Sequence, residues 1–305
     1  QHTVAFFACQ WLGAVACSLH ARDTEARLAA TAGWLEIDAL VFDENLAEAA
    51  GRIVAASGRT PLMVGFGDAP AAGADNCFAQ LRAADPIPMA DVGPDDPAAI
   101  LLSSGTTGEP KGVVHLNRTL FAASRVCEPV YGPVEPGHSV AVVMAPSFAA
   151  WVIICLPNIA ARARIVFRRS FDPEAFLDLL ARERIVHAPL VPTMWRMILA
   201  AGPERFDLSA LKSLTFSGEP GTPDLVAALA ARISPGIHTA YLSSEGNTAS
   251  AIAAGPATLI EAGKAGSAGR PVPGADLRIV DPDGGIRRVA SIMSGLALAR
   301  VWAKR

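Results

Sequence analysis

Short runs of consecutive apolar residues, each too brief for a helix, alternate along the chain with longer stretches whose apolar positions recur at helical spacing. The chain starts on the end of a helix at Val4–Leu12, a stop at Gly13 and a short strand at Ala14–Leu19. Asp23, Thr24 and Glu25 open a second helix through about Ala32, with acids in the first turn where the helix dipole favours them. A strand at Asp38–Phe42, a helix at Leu46–Ser57 and a strand at Pro61–Phe66 follow. From Gly67 to Pro97 the pattern fails, and the abundance of Ala, Asp, Gly and Pro predicts a surface excursion. Order returns with an apolar strand at Ala98–Leu102, which runs straight into a loop of Ser, Gly and Thr. Gly112–His115 continues as strand or turn, and Asn117 is the predicted N-cap of a helix through about Glu128.

The same alternation governs the second half. Strands are predicted at Val140–Met144 and Ala163–Phe167, with an apolar helix between them. Asp172–Glu183 is amphipathic, with Phe176, Leu179 and Leu180 on one face. A helix at Thr193–Ala201 follows Pro192, then a strand at Leu211–Phe216 and a helix at Pro223–Ile233. Asp276–Asp281 alternates as a strand does and is expected to open a more β-rich subdomain. No internal repeat or low-complexity tract interrupts this series. Strand–helix alternation of this kind predicts an α/β fold.

Composition narrows the function classes. The 305 residues suffice for one large domain or two ordinary ones, and 51% hydrophobic with 18% charged residues implies a globular core rather than disorder. Net charge is −3 and the basic residues are scattered, so no nucleic-acid partner is expected. Lysine is scarce: only Lys111, Lys212, Lys264 and Lys304 occur, which makes each one worth inspecting as a compact positive charge. The five cysteines (9, 17, 77, 127 and 155) are odd in number and lack CxxC spacing, so neither a zinc site nor a disulfide framework is indicated. Free thiols in a reducing cytoplasm are the expectation. Residues 3–19 are mostly apolar, and Ala14–Cys17 has the look of a lipoprotein cleavage site. No basic segment precedes them, Gln10 and Trp11 interrupt them, and a membrane span wants about 20 apolar residues. Buried structure is expected there rather than membrane insertion. A chain that starts with Gln1 points to a true N-terminus upstream.

The loop carries the chemistry. Ser103-Ser104-Gly105-Thr106-Thr107-Gly108-Glu109-Pro110-Lys111-Gly112 offers successive backbone N–H groups, four hydroxyls and one ammonium to an anion. Gly105 and Gly108 permit tight geometry, and Pro110 stiffens the approach to Lys111. It is not a Walker A loop, because Pro110 precedes the lysine and Gly112 follows it. Composition alone leaves a polar surface loop open as an alternative.

Residues 103–112 resemble the signature loop of the AMP-forming adenylating superfamily, which includes acyl-CoA synthetases, peptide-synthetase adenylation domains and luciferases. The resemblance extends in the family's order from about residue 4 to 284: Phe6–Cys9 through Gly13–Val15, Val191-Pro192-Thr193, Ser217-Gly218-Glu219-Pro220, Tyr241-Leu242-Ser243-Ser244-Glu245, and Gly263 to Gly274. It implies a layered αβαβα large N-terminal domain over residues 1–284, with the start of a β-barrel subdomain near its end. It implies an acid–thiol ligase that turns a carboxylic acid and Mg-ATP into acyl-AMP and pyrophosphate, then transfers the acyl group to coenzyme A. A carrier-loading adenylation domain and a catalytically incomplete nucleotide-binding fragment are the alternatives.

By the same resemblance, Ser103, Ser104, Gly105, Thr106, Thr107, Gly108 and Lys111 would hold the ATP phosphates. Ser244, standing where the family has Thr, would donate to phosphate, and Glu245 would bind Mg²⁺, with Lys111, Ser244 and Glu245 forming the catalytic set. Tyr241 would stack on adenine while Gly218, Glu219 and Pro220 line the ring. Taken singly, a tyrosine also reads as core and a glutamate as a solvated face. Leu242 replaces the Gly of the family's Tyr-Gly pair, so the backbone there must avoid positive φ or shift. Met144, Phe148, Ala149, Trp151 and Val191 would form an apolar pocket for a hydrophobic acyl or aryl acid, or simply pack the core. His115 is read as loop support, and His187 carries no assigned role. No Thr-Gly-Asp motif follows residue 284. Residues 285–305 are expected to fall outside the family's pattern, and the small C-terminal lysine-bearing domain is expected to be absent from these residues. Weak nucleotide binding and poor turnover are therefore expected of these 305 residues alone.

Overall fold

In a computed structural model, residues 1–104, 110–126, 130–253, 263, 265–267, 269–273, 275, 278–280 and 286–287 are described. Internal contacts divide the chain into two units, Gln1–Asn117 and Arg118–Arg305.

The first unit begins with α1 (His2–Leu12), which stops at Gly13, where a left-handed φ of 67° costs glycine no Cβ strain. Strand β1 (Ala16–Cys17) follows, then α2 (Glu25–Trp34), whose cap Thr24 accepts from the Arg27 N–H. Next come β2 (Ala39–Asp43), α3 (Ala47–Ser57) and β3 (Leu62–Phe66). Leu28, Ala29 and Ala32 of α2 bury against Ile53 of α3, while Phe42, Ala47, Ala50 and Met63 form a second small core.

The stretch predicted as a surface excursion is partly ordered. It holds β4 (Asn76–Cys77) and α4 (Phe78–Ala83), and Cys77 is buried. β4 pairs in parallel with β3, and the Asp75 carboxylate accepts from the Met63 N–H at 2.7 Å. A two-residue strand has no period to detect, and a side-chain anchor of this kind leaves no mark on the apolar pattern.

β5 (Pro97–Ser104) and β6 (Pro110–Leu116) form an antiparallel hairpin, with β1 alongside β5 in parallel. β2, β3 and β4 make a separate parallel sheet. α5 (Asn117–Ala123) begins where the hairpin ends. Asn117 is the first residue of that helix rather than its cap, and its amide donates to the Gly93 carbonyl at 3.0 Å. The expected extension to Glu128 runs into residues 127–129, outside those described.

The second unit is built on one sheet. Its strands are β7 (Ser139–Val142), β8 (Arg164–Phe167), β9 (His187–Leu190), β10 (Ser213–Ser217), β11 (Ile237–Ser243), β12 (Asn247–Ala253) and β13 (Arg270–Pro271), in spatial order β13-β12-β11-β10-β9-β7-β8. From β8 to β11 all neighbours are parallel; β12 and β13 add antiparallel strands. The crossovers are α6 (Ala149–Ala160), α7 (Pro173–Arg182), α8 (Pro192–Ala200) and α9 (Pro223–Arg232). α7 starts where the Asp172 carboxylate accepts the Ala175 N–H at 2.9 Å, with Pro173 pre-set for the first turn. Its predicted stripe buries Phe176, Leu179 and Leu180 against Trp195 and Ile198 of α8, Leu214 and Phe216 of β10, and Leu225 and Leu229 of α9. Each such side chain contributes about 1.5–3 kcal/mol by leaving water.

The β11–β12 hairpin went unpredicted, because Asn247–Ala253 carries almost no apolar alternation. The strand expected at Asp276–Asp281 contains β14 (Ile279–Val280), paired antiparallel with β15 (Ile286–Arg287). Its other residues, and most of the expected barrel start, lie outside those described. No described helix is long and apolar enough to cross a membrane.

Candidate functional site

In the first unit, the register of the β5–β6 hairpin sets Ser103 opposite Lys111 and Ser104 opposite Pro110. The strand pairing therefore delivers Ser103 and Lys111 together to the mouth of the loop, since directly opposed residues hold their Cβ atoms about 5 Å apart. Lys111 is exposed and Ser103 half-buried. Gly105, Thr106, Thr107 and Gly108 lie outside the described residues. Behind the loop, a methyl on Gly112 would sit 2.9 Å from Trp34 Cη2 and 3.0 Å from Ile100 Cγ2. Only glycine lets β6 pass beneath the Trp34 ring. His115 is 2% exposed and sits opposite Ala99 in the same ladder.

In the second unit, the parallel register Ser217↔Ala240 sets the end of β10 beside β11, which runs on to Ser243. Gly218 thus emerges next to Tyr241, while Ser244 and Glu245 follow the end of β11 at the same edge of the sheet. β9 ends beside β10, with Leu190↔Phe216, and delivers Val191 to the same edge; Met144 follows the end of β7 there. Ligands of open α/β sheets gather in the crevice beyond the carboxyl ends of parallel strands, and this is that edge.

Local geometry explains the residue types. Gly218 has a φ of 85°, open only to glycine. A methyl on Gly221 would meet the Ala265 carbonyl oxygen and the Phe216 ring at 2.7 Å, so the chain turns there in contact with backbone and core. Leu242 does not adopt positive φ: among the described residues the non-glycine exceptions are Glu36, Arg162 and Arg184. The ladder shifts register instead, pairing Tyr241 with Ser250 and Leu242 with Thr248. After the shift, the Ser243 hydroxyl accepts the Gly246 N–H at 2.9 Å and closes the turn that carries Ser244 and Glu245. Tyr241 and Ser244 are half-buried, and Glu245 is exposed.

One tie at this edge had no sequence signal. The Thr193 hydroxyl lies 3.1 Å from both Glu219 carboxylate oxygens, linking the start of α8 to the turn after β10. Arg196 adds a second link to Thr222, the cap of α9, at 3.0 Å. Of the pocket candidates, Phe148 is 51% exposed at the cap of α6, and Ala149 is buried in its first turn. Trp151 is buried and stacks on Phe167 of β8, with ring centroids 6.3 Å apart.

A family model described as AMP-binding enzyme matches residues 1–290. The chain is 31% identical over 201 residues to an uncharacterized acyl–CoA ligase, YtcI, of Bacillus subtilis, a match covering 65% of this chain and 37% of that protein. It is 33% identical over 208 residues to 4-coumarate–CoA ligase 2 of Oryza sativa subsp. japonica, covering 65% of this chain and 36% of the relative. Among solved structures, amide bond synthetase McbA from Marinactinospora thermotolerans superposes with a TM-score of 0.80 at 25% identity, over 93% of this chain and 56% of that one. The matched stretch thus spans little more than a third of the curated relatives' length.

Proposed function

Because the chain belongs to the AMP-binding enzyme family, we propose that it forms part of a ligase that activates a hydrophobic carboxylic acid with ATP and passes the acyl group to coenzyme A. The observation that carries this reading is the shared carboxyl edge, where the parallel pair β10 and β11 sets Gly218 beside Tyr241 and both strands lead on to Glu219–Pro220 and Ser244–Glu245.

In the proposed reaction the substrate carboxylate attacks the α-phosphorus of ATP, forming a carboxylate–phosphate bond as pyrophosphate leaves. Such a step needs alignment and charge neutralisation more than covalent help. The chain's residues divide these tasks. Lys111 and the hydroxyls of Ser103, Ser104, Thr106 and Thr107 hold phosphate oxygens, and the ammonium offsets their charge. Tyr241 offers a ring face to adenine, and the backbone from Gly218 to Pro220 borders it. Ser244 donates a hydroxyl hydrogen bond to phosphate.

Glu245 fits a magnesium ion: it is an exposed carboxylate on a tight turn, flanked by the hydroxyls of Ser243 and Ser244. These are hard oxygen donors, and Mg²⁺ usually takes one or two carboxylates with phosphate and water completing its shell. When bound, the ion neutralises phosphate charge; orientation falls to the chain.

An apolar, aryl-type acid is favoured by Met144 and Val191 at the same edge and by the 4-coumarate ligase among the relatives. Coenzyme A as acceptor rests on the names of both relatives. The residues 1–284 would constitute the adenylate-forming domain. The test is single-turnover product analysis with Mg-ATP and a panel of aryl and alkyl acids. AMP, pyrophosphate and an acyl group trapped by hydroxylamine are expected. ADP as the nucleotide product, or AMP formation indifferent to the acid, would overturn the reading.

A further inference from the structure

At the opposite, amino edge of the second unit's sheet lies a cavity of about 210 Å³. Glu135 and His138 approach it just before β7, His187 opens β9, Lys212 and Ser213 begin β10, and His238 lies at the start of β11. Nothing in the adenylation chemistry uses these residues.

The hydrogen bonds assign the protons. The Glu135 backbone N–H donates to His138 Nδ1 at 3.2 Å, so that nitrogen is an acceptor. The His138 proton therefore sits on Nε2, which faces Glu135 Oε2 at 3.4 Å. His187 Nε2 lies 3.3 Å from His138 Nδ1 and must be the donor. The His187 ring also has a hydrogen bond with the Tyr131 backbone. The Ser213 hydroxyl and His238 Nδ1, by contrast, are buried without a partner. These two residues are only 2% and 9% exposed. An unpaired buried polar atom is costly, and two such side chains line one cavity.

The occupant's charge follows from the lining. No set of three metal-ligating side chains exists among the described residues, and the Lys212 charge acts on His187, so a cation is disfavoured. An oxyanion gains donors from the Ser213 hydroxyl and the Lys212 ammonium, and from His238 Nδ1 once a solvent proton occupies it. We propose that this cavity is a second, non-substrate binding site for a small oxyanion of the phosphate or carboxylate type.

Binding at this site takes up protons. Burial is the main cause that brings His187 and His238 down to about 4, joined at His187 by the charges of His138, His238 and Lys212 and opposed by the Tyr131 backbone hydrogen bond. The titratable groups bordering the cavity are Tyr131, Glu135, His138, His187, Lys212 and His238. A bound anion favours the imidazolium form, so affinity rises as pH falls.

The experiment is NMR titration of the chain with inorganic phosphate, and separately with acetate, following the imidazole resonances at about pH 7 and pH 5.5, near the histidine range. Saturable shifts of His187 and His238 are expected, with tighter binding at the lower pH. Lys212→Gln alters an exposed side chain, leaves thermal unfolding in place, and is expected to weaken binding about tenfold. Preference for phosphate or for acetate identifies the kind of oxyanion and supports the site either way. Shifts no larger than those from sodium chloride at matched ionic strength would overturn it. So would an affinity that Lys212→Gln leaves unchanged.

Discussion

Acidification should destabilise the second unit well above the carboxylate range, and the buried imidazoles set the size of the effect. His187 and His238 are each lowered from 6.5 to about 4, chiefly because burial penalises the charged ring. Their folded values lie below their unfolded ones, so between those limits the unfolded chain binds more protons than the folded chain. Stability is then fully present above pH 6.5 and lost as pH falls towards 4. A tenfold difference in proton affinity between the two states is worth about 1.4 kcal/mol, so each ring costs about 2 kcal/mol by pH 5. The two rings interact, and about 3–4 kcal/mol for the pair is the working figure, a large part of an ordinary domain's stability. Glu183 and Glu204 are held below the usual carboxylate range by Arg164 and Arg232, so their contribution has the same sign and is lost only as pH falls into the carboxylate range. Urea unfolding followed by tryptophan fluorescence at about pH 7.5 and pH 5 reads the change as a midpoint lowered by about 1–3 M. His238→Gln should flatten that pH slope whatever it does to stability at neutral pH. An unchanged midpoint, or one that rises on acidification, would show that the rings are not held neutral by burial.

Two packing predictions accompany it. Gly221→Ala forces a methyl against the Ala265 carbonyl and the Phe216 ring, and should lower stability by about 1–3 kcal/mol in thermal unfolding. Phe176→Ala removes a fully buried ring from the face shared by α7, α8 and β10, and should cost about 3–5 kcal/mol by denaturant titration.

The parts of the fold that could be read from sequence are those where local pattern and tertiary burial coincide. Phe176, Leu179 and Leu180 announce α7 because the stripe that makes the helix amphipathic is the stripe the core covers. The strand before the Ser/Gly/Thr loop was legible for the same reason, and the loop's hydroxyls and lysine marked its chemistry. Pairing was not legible. That Ser103 faces Lys111 depends on hairpin register, and that Gly218 borders Tyr241 depends on β10 and β11 being neighbours. Asn76–Cys77 and Asn247–Ala253 were missed because their strand character comes from partners rather than from apolar spacing. The departure at Leu242 was visible, but its remedy, a register shift in the ladder, was not. His138, His187 and His238 stand far apart in sequence and become one cluster only when β7, β9, β10 and β11 begin side by side.

Everything proposed for the adenylation chemistry depends on the 103–112 loop binding the phosphates of a nucleotide. Calorimetric titration of the chain with Mg-ATP, beside the Lys111→Ala variant, isolates that dependence. Lys111 is exposed at the hairpin mouth, so the variant should fold as the parent does. Loss of one charge-assisted contact to phosphate predicts affinity lower by about tenfold or more. Equal affinity in parent and variant would mean that the loop is not the phosphate site.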